Sequence, residues 1–495
     1  MKAHPQDYIK TMREEVAKTD QISFMNQVGA IFGYLSGASL GEMDEPLKAR
    51  EQSIAIRENT INNLPSLLEE FEKNATQNGI EVLWAVDAAE ACAIIKDLII
   101  KHDVKVITKG KSMISEEIDL NHYLEEALGV KIYEGDLGEL IVQMRGTPPF
   151  HIVGPAINLN VQQIAQTLVD HIGMEYTEDA IEIAGNVRKF MRKQFEQADM
   201  GITGVNMAVA STGSIVLVEN EGNIRWSTAA PPVHVAIMSL EKIVANMADG
   251  FHVMEMLTRS CTGQGMTSYV SVLSGPRDAA ERDGPEKMYV VILDNGRSRI
   301  YQDPFLRQSL KCIRCGRCGT ACPIYLTVGA YPYGWCYPGP MGTVISPLLL
   351  GLDDTYHVYE ACTLCGGCES VCPAGINHVE LFHHYRAMKA EGNETFRGKK
   401  GSAMERTAFK GWAEAVKHPT LFKNSMGMIR YFLKTGNKDE YVNAMPGPLK
   451  AWSATRDLPI AEKTFHQYWA ELQVANGAAM REAAAQLEKE GQDNE

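Results

Sequence analysis

The cysteines constrain this chain more than any other feature. Eight of its eleven cysteines fall in two runs of identical spacing. Cys312, Cys315, Cys318 and Cys322 read C-x2-C-x2-C-x3-C and are followed by Pro323; Cys362, Cys365, Cys368 and Cys372 repeat the pattern and are followed by Pro373. This is the bacterial two-cluster iron–sulfur spacing, in which each run gives three thiolates to one cluster and its fourth to the other. It predicts one [4Fe–4S] cluster on Cys312, Cys315, Cys318 and Cys372, and a second on Cys362, Cys365, Cys368 and Cys322. Short loops wrapped round a cubane must turn backbone N–H groups inward, which suits Gly316, Gly366 and Gly367. A proline after each last ligand fixes φ, carries no donor and turns the chain away. Structural zinc is the alternative, but its sites usually pair two C-x2-C units across a longer spacer. Cys92 and Cys261 read as small packing residues, and so does Cys336, although it lies between the runs within reach of a cluster.

Thiolate ligands need a reducing compartment. Met1 to Ile9 is polar and lacks the apolar core of a secretory signal, so the expected location is cytoplasmic. The net charge of −14 and the absence of a basic stripe with aromatics argue against a nucleic-acid partner. The longest apolar stretch, around Val344 to Leu352, is far too short to span a membrane, so any membrane link would run through a partner.

Four regions are expected. Residues 1–75 read as helical, with Ile22, Phe24, Met25, Val28, Ile31 and Phe32, then Ile54, Ile56, Ile61, Leu64, Leu67 and Leu68, recurring at helical spacing as a packing arm or dimer element. Residues 76–300 alternate strands and helices, predicting an α/β domain with a mostly parallel sheet. Its candidate strands are Glu81–Val86, Val104–Thr108, Val130–Tyr133, His151–Val153, Ser214–Val218, Val233–Met238, Tyr269–Leu273 and Met288–Leu293, with Asn220-Glu221-Gly222-Asn223 closing a hairpin. Residues 301–390 form an α-helical two-cluster module, and residues 391–495 a helical C-terminal segment with Trp412, Trp452 and Trp469 as docking or core aromatics.

The α/β region has no G-x-G-x-x-G behind its first strand and no Walker A loop. Lys109-Gly110-Lys111-Ser112, between a strand and a helix, reads either as an anion-receiving loop or as a solvated turn. Arg277 and Arg297 could grip a carboxylate, but such arginines more often hold a loop or an interdomain contact.

Motifs along most of the chain resemble the lactate-utilisation protein B family. They are Lys109-Gly110-Lys111-Ser112-Met113 with Glu116-Glu117-Ile118, Glu134-Gly135-Asp136-Leu137-Gly138-Glu139, Thr212-Gly213, Asn220-Glu221-Gly222-Asn223 and Glu241-Lys242-Ile243. Cys312-Ile313-Arg314-Cys315-Gly316, Tyr337-Pro338-Gly339-Pro340, and the late Trp452, Arg456-Asp457, Pro459, Phe465 and Trp469 continue the likeness. Two positions depart from it: Asn158 stands where the family often has histidine in P-A-x-H, and Gly329-Ala330-Tyr331 stands where it often has G-G-H. The resemblance implies a LUD domain, similar to the sugar-phosphate isomerase and coenzyme A transferase-like fold, joined to a two-cluster ferredoxin-type module. It also implies an iron–sulfur subunit of a three-part complex that oxidises L-lactate to pyruvate. Its partners would be a cysteine-rich redox subunit and a cluster-free LUD subunit, with the downstream acceptor open.

Oxidising a hydroxy acid removes two electrons, and the clusters implied here carry one each. The expected role is therefore electron transfer, without catalytic residues of its own. Other readings are electron transfer for a different 2-hydroxy acid, an α/β enzyme with structural clusters, and a scaffold whose clusters never cycle.

Overall fold

The computed structural model of the chain describes residues 5–151, 153–436, 441–442 and 458–492. Residues 1–400 form one compact unit and residues 401–495 a second. Among its described residues the first unit carries ten strands: β1 (Glu81–Ala85), β2 (Val106–Lys109), β3 (Lys131–Glu134), β4 (Met200–Gly204), β5 (Met207–Val209), β6 (Ser214–Glu219), β7 (Val233–Ser239), β8 (Ile243–Val244), β9 (Tyr269–Leu273) and β10 (Lys287–Leu293). Six of them form a wholly parallel sheet in the order β1-β10-β7-β4-β2-β3. The other four form a smaller sheet, β8-β5-β6-β9, in which β6 runs antiparallel to both neighbours.

The period of two along a strand explains how the parallel sheet is covered. On β7, Val233, Val235 and Ile237 pack with Ile95, Leu98 and Leu124 of the helices on one face. Ala236 and Met238 point the other way, against Phe71 and Leu67 of the helix Leu64–Gln77 and against Ile215 and Leu217 of the smaller sheet. Both faces are buried, so β7 and β10 lack the polar–apolar alternation of a half-exposed strand, as central parallel strands do.

Two sequence expectations fail here for local reasons. His151 and Val153 lie in no strand: His151 Nδ1 accepts the Val153 and Gly154 N–H groups, and Phe150 N–H donates to Pro155 O. Asn220–Asn223 closes no hairpin. It leads into the helix Asn223–Ala229, because Glu219 accepts the Ile224 and Arg225 N–H groups and seeds that helix. The antiparallel hairpin is instead β5–β6. Strand β4 escaped the sequence reading because Met200-Gly201-Ile202-Thr203-Gly204 is glycine-rich. Gly201 is required there, since a Cβ at that position would lie 1.6 Å from Ser227 O.

The N-terminal helices are not a free arm. The helix Thr19–Gly41 packs through its small residues: a Cβ on Gly29 would meet Leu326 Cδ1 at 2.8 Å, and Met25, Ser36 and Ser39 are buried. The apolar Phe24 and Ile31, expected to pack, are exposed. The helix Pro46–Asn62 sends the fully buried Arg57 between the two halves of the unit, donating to Glu241 O and Ile243 O on one side and Leu310 O and Lys311 O on the other. The cysteine module is built from short helices around Gly339–Leu350, a helix buried along its length up to Leu349.

In the second unit, the helices Ala403–Lys417 and Pro419–Gly436 meet through an edge-on Trp412–Phe422 contact, and Phe465 stacks on Trp469 within the helix Phe465–Gln492. Trp412 and Trp469 are exposed and so are not core aromatics. Trp452, Arg456 and Asp457 lie outside the described residues. Among the described residues no helix is long and apolar enough to cross a membrane.

Candidate metal centre

The structure gathers the eight cysteines into two quartets, each drawn from both runs. Cys312, Cys315, Cys318 and Cys372 line one small cavity, walled by Ile313, Met341, Val344 and Ile376. Cys322, Cys362, Cys365 and Cys368 line another, walled by Ile324, Val358, Leu364 and Phe382. No disulfide joins any of them.

The loops that carry the thiols share one backbone device. Arg314 and Leu364, each two residues after the first cysteine of its run, have φ of +62° and +56°; Gly316 and Gly366, two further on, have +73° and +77°. A left-handed non-glycine residue costs roughly 1–2 kcal/mol. The strain recurs at matching positions, and its effect is the same in both: Arg314 N–H points at Cys312 Sγ, 3.4 Å away, and Leu364 N–H at Cys362 Sγ, also 3.4 Å. Gly367, in contrast, simply begins the short helix Gly367–Ser370. Cys322 caps the helix Pro323–Val328, its Sγ accepting the Tyr325 N–H, with Pro323 at the first turn, where its missing donor costs nothing.

Arginines distant in sequence pin these loops from behind. Arg50 donates to Cys372 O at 3.0 Å, and Arg386 to Cys362 O at 2.8 Å and Tyr359 O at 2.7 Å. Nothing in the local sequence marks them; a guanidinium on a helix reads as surface until the fold brings a carbonyl to it.

The chemistry of the quartets fits an iron–sulfur cluster. Burial pushes the Cys315 and Cys318 thiols well up, and charge on neighbouring cysteines raises both further. Cys368 is held at about 12 by burial and then by Cys322 and Cys362. Four thiolates so confined repel one another unless a cationic centre lies between them. They do not converge on a point, as the ligands of a single ion would, but surround a space. The remaining cysteines stand apart from this pattern. Cys92 and Cys261 are pushed to about 11 by burial, and Cys336 well up by burial and then by Glu117.

Beside the first run lies a buried charge network. Glu117 accepts both Arg297 Nη1 and Nη2, at 2.8 and 2.7 Å, together with Tyr337 Oη at 2.6 Å and Asn295 Nδ2 at 2.7 Å. Arg297 Nε reaches Glu241 at 3.0 Å, and Glu241 also faces Arg314 at 3.4 Å. Burial raises the Glu241 carboxyl, but Arg297 and Arg314 outweigh it and hold the group at about 2. Arg297 is thus a tie within the α/β half, whose glutamate partners also meet Tyr337 and Arg314 of the cysteine module, and Arg277, paired with Glu286 at 2.6 Å and donating to Arg282 O, is a loop brace. Lys109 is not an anion receiver either: it is buried and paired with Glu134 at 2.8 Å and Glu116 at 3.2 Å.

Comparison with known proteins gives a consistent picture. Residues 68–293 match the LUD domain, residues 308–376 the 4Fe-4S dicluster domain, and residues 385–474 the C-terminal region of lactate utilisation protein B. A DUF162 family protein of solved structure from Deinococcus radiodurans aligns with 46% of this chain and 98% of its own, at 14% identity and a TM-score of 0.28. The two positions that depart from the family pattern touch each other, Asn158 Nδ2 donating to Tyr331 Oη at 3.3 Å. The lactate utilization protein B of Lysinibacillus sphaericus is 40% identical over 87% of this chain and 88% of its own. That of Geobacillus kaustophilus is 37% identical over 94% and 95%. With the protein of the same name from Bacillus velezensis also 39% identical over 85% of this chain and 87% of its own, the chain belongs to the lactate utilization protein B family.

Proposed function

We propose that this protein is the iron–sulfur electron-transfer subunit of a complex that oxidises L-lactate to pyruvate. Cys312, Cys315, Cys318 and Cys372 would hold one [4Fe–4S] cluster, and Cys362, Cys365, Cys368 and Cys322 the other. The observation that carries this reading is the sorting of eight thiols into two quartets, each mixing both runs, around separate apolar-walled cavities. When bound, each cluster accepts and returns one electron at a time. The chain's own contribution is electrostatic and steric. Inward N–H groups of Arg314 and Leu364 favour the more negative reduced state, the apolar walls exclude water, and the arginine pins keep ligand geometry fixed between redox states.

The name shared by the relatives, lactate utilization protein B, supports lactate as the metabolite. In this reading the hydroxy acid's electrons arrive through a cysteine-rich partner subunit, a cluster-free LUD subunit completes the complex, and the assembly is cytoplasmic, meeting the membrane only through partners. The test is anaerobic iron and acid-labile sulfide analysis of the purified chain. Eight of each per chain are expected for two [4Fe–4S] clusters; zinc in place of iron, with no visible charge-transfer absorption, would overturn the reading.

The charge distribution orders the two potentials. Arg57, Lys242 and Arg314 act on Cys312, with Glu241 offsetting part of their charge, whereas Arg386 acts on Cys362. Reduction adds negative charge, so the cluster on Cys312, Cys315, Cys318 and Cys372 should have the higher potential. Two unit charges about 8 Å apart at an effective dielectric near 20 interact by roughly 2 kcal/mol, on the order of 90 mV for one electron. Arg314→Gln should therefore lower that cluster's potential by several tens of millivolts, and an EPR-monitored redox titration that finds no decrease refutes the electrostatic ordering.

A further inference from the structure

A polar cavity of about 300 Å³ opens at the carboxyl ends of β2, β4 and β7 and extends to the first cysteine run. In open parallel sheets that end of the strands is where ligands bind. The cavity's lining carries two sets of charge: Lys242 and Arg314 on the cysteine side, and Asp136, Glu219 and Glu221 together with Lys111, which pairs with Asp136 and donates to Val153 O.

The acids are already engaged. Glu219 accepts the N–H groups of Ile224 and Arg225, Glu221 that of Leu137, and Asp136 that of Glu139, while Asp136 also faces Lys111 at 3.4 Å. The cations on the cysteine side are met only in part, Arg314 Nη2 facing Glu241 Oε1 at 3.4 Å. Arg314 is nine-tenths buried, yet its Nη1 has no hydrogen-bond partner among the described residues. Lys242 Nζ makes no hydrogen bond or ion pair among the described residues, and burial and then Arg314 push its ammonium down to about 8. A buried donor without an acceptor costs roughly 1–3 kcal/mol, more when charged, so this wall is built for an anion that completes it.

We propose that this cavity binds a small hydroxy or oxo monocarboxylate, its carboxylate on Arg314 and Lys242 and its hydroxyl or carbonyl end towards the polar wall. The carboxylates opposite disfavour a second negative charge, which selects a monocarboxylate over a phosphate dianion. The proposal rests on the lactate reading above and deepens it by placing an acid of that class beside the first cysteine run of this chain.

The test is calorimetric titration of the full-length, anaerobically purified chain with L-lactate, pyruvate and inorganic phosphate, with iron content measured on every sample. The primary variants are Lys242→Met and Lys111→Met, because Arg314 directly precedes the proposed ligand Cys315. The expected result is binding of at least one monocarboxylate, weakened roughly tenfold by Lys242→Met, with phosphate much weaker and iron unchanged. Absence of binding by iron-replete protein, binding indifferent to both lysines, or phosphate binding as tightly as the acids would overturn the proposal and leave the electron-transfer reading standing. Protein that carries no iron would strike at that reading instead.

Discussion

Replacing Glu117 by alanine should destabilise the folded protein by about 3–5 kcal/mol, the range expected when one partner of a buried ion pair is removed. The side chains of Glu117 and Arg297 are both fully buried. The substitution strips Arg297 of a bidentate partner and leaves Tyr337 Oη and Asn295 Nδ2 without their acceptor. Glu241 remains, but it already serves Arg314 as well. The residues involved come from the helix Met113–Glu117, from the β7–β8 and post-β10 connections, from the first cysteine run and from the segment between the runs. Losing the network should therefore loosen the α/β half and the cysteine module together. Anaerobic denaturant unfolding measures the effect, and a loss below about 1 kcal/mol would show the pair to be dispensable. The acid side gives an independent check. Glu117 is held below its ordinary value, burial being outweighed by Arg297, and Glu241 is held at about 2. Depressed carboxylate values mean that the unfolded chain binds more protons in this window. The stabilisation is complete above the unfolded glutamate value of roughly 4.3 and fades as pH falls below it. Glu117→Gln should flatten that part of the stability curve.

Cys372→Ala should abolish one cluster and spare most of the other. Although Cys372 belongs to the second run, it shares its cavity with Cys312, Cys315 and Cys318. Removing it leaves three thiolates in a site that needs four, while Cys322, Cys362, Cys365 and Cys368 keep their own cavity intact. Iron should fall by roughly half, and the surviving EPR signal should be the one insensitive to Arg314→Gln. Loss of the cluster held by Cys362, Cys365 and Cys368, with the other retained, would show that the runs are not crossed. The reciprocal change, Cys322→Ala, should spare the first cluster.

These expectations rest on features of unequal visibility in the sequence. The cysteine spacing and the glycines at 316 and 366 carry their own geometry, so the loops that face the cavities could be read directly. Strands β7 and β10 announced themselves as mostly apolar stretches, whereas β4 hid behind two glycines, Gly201 set against the Ser227 backbone and Gly204 against the Ser112 side chain. The helix Thr19–Gly41 shows the opposite: Phe24 and Ile31 are exposed, while Gly29 meets Leu326 of the cysteine module and Ser39 accepts from Arg259 of the α/β half. The charged residues were the least legible. Arg50, Arg57 and Arg386 look like ordinary helix-surface cations until the fold sets carbonyls of the cysteine loops against them. Arg297 and Lys109, candidates for holding a ligand, turn out to have their charges met from within, because glutamates from distant segments reach them.

The central claim is that lactate's electrons pass through this chain without being extracted by it. The most direct measurement is an EPR spectrum of the anaerobically purified protein before and after adding L-lactate, alone and with its native partner subunits. Reduced-cluster signals that appear only with the partners present are the expected result. Reduction of the isolated chain by lactate at a catalytic rate, or clusters that stay oxidised in the complete lactate-oxidising complex, would contradict it.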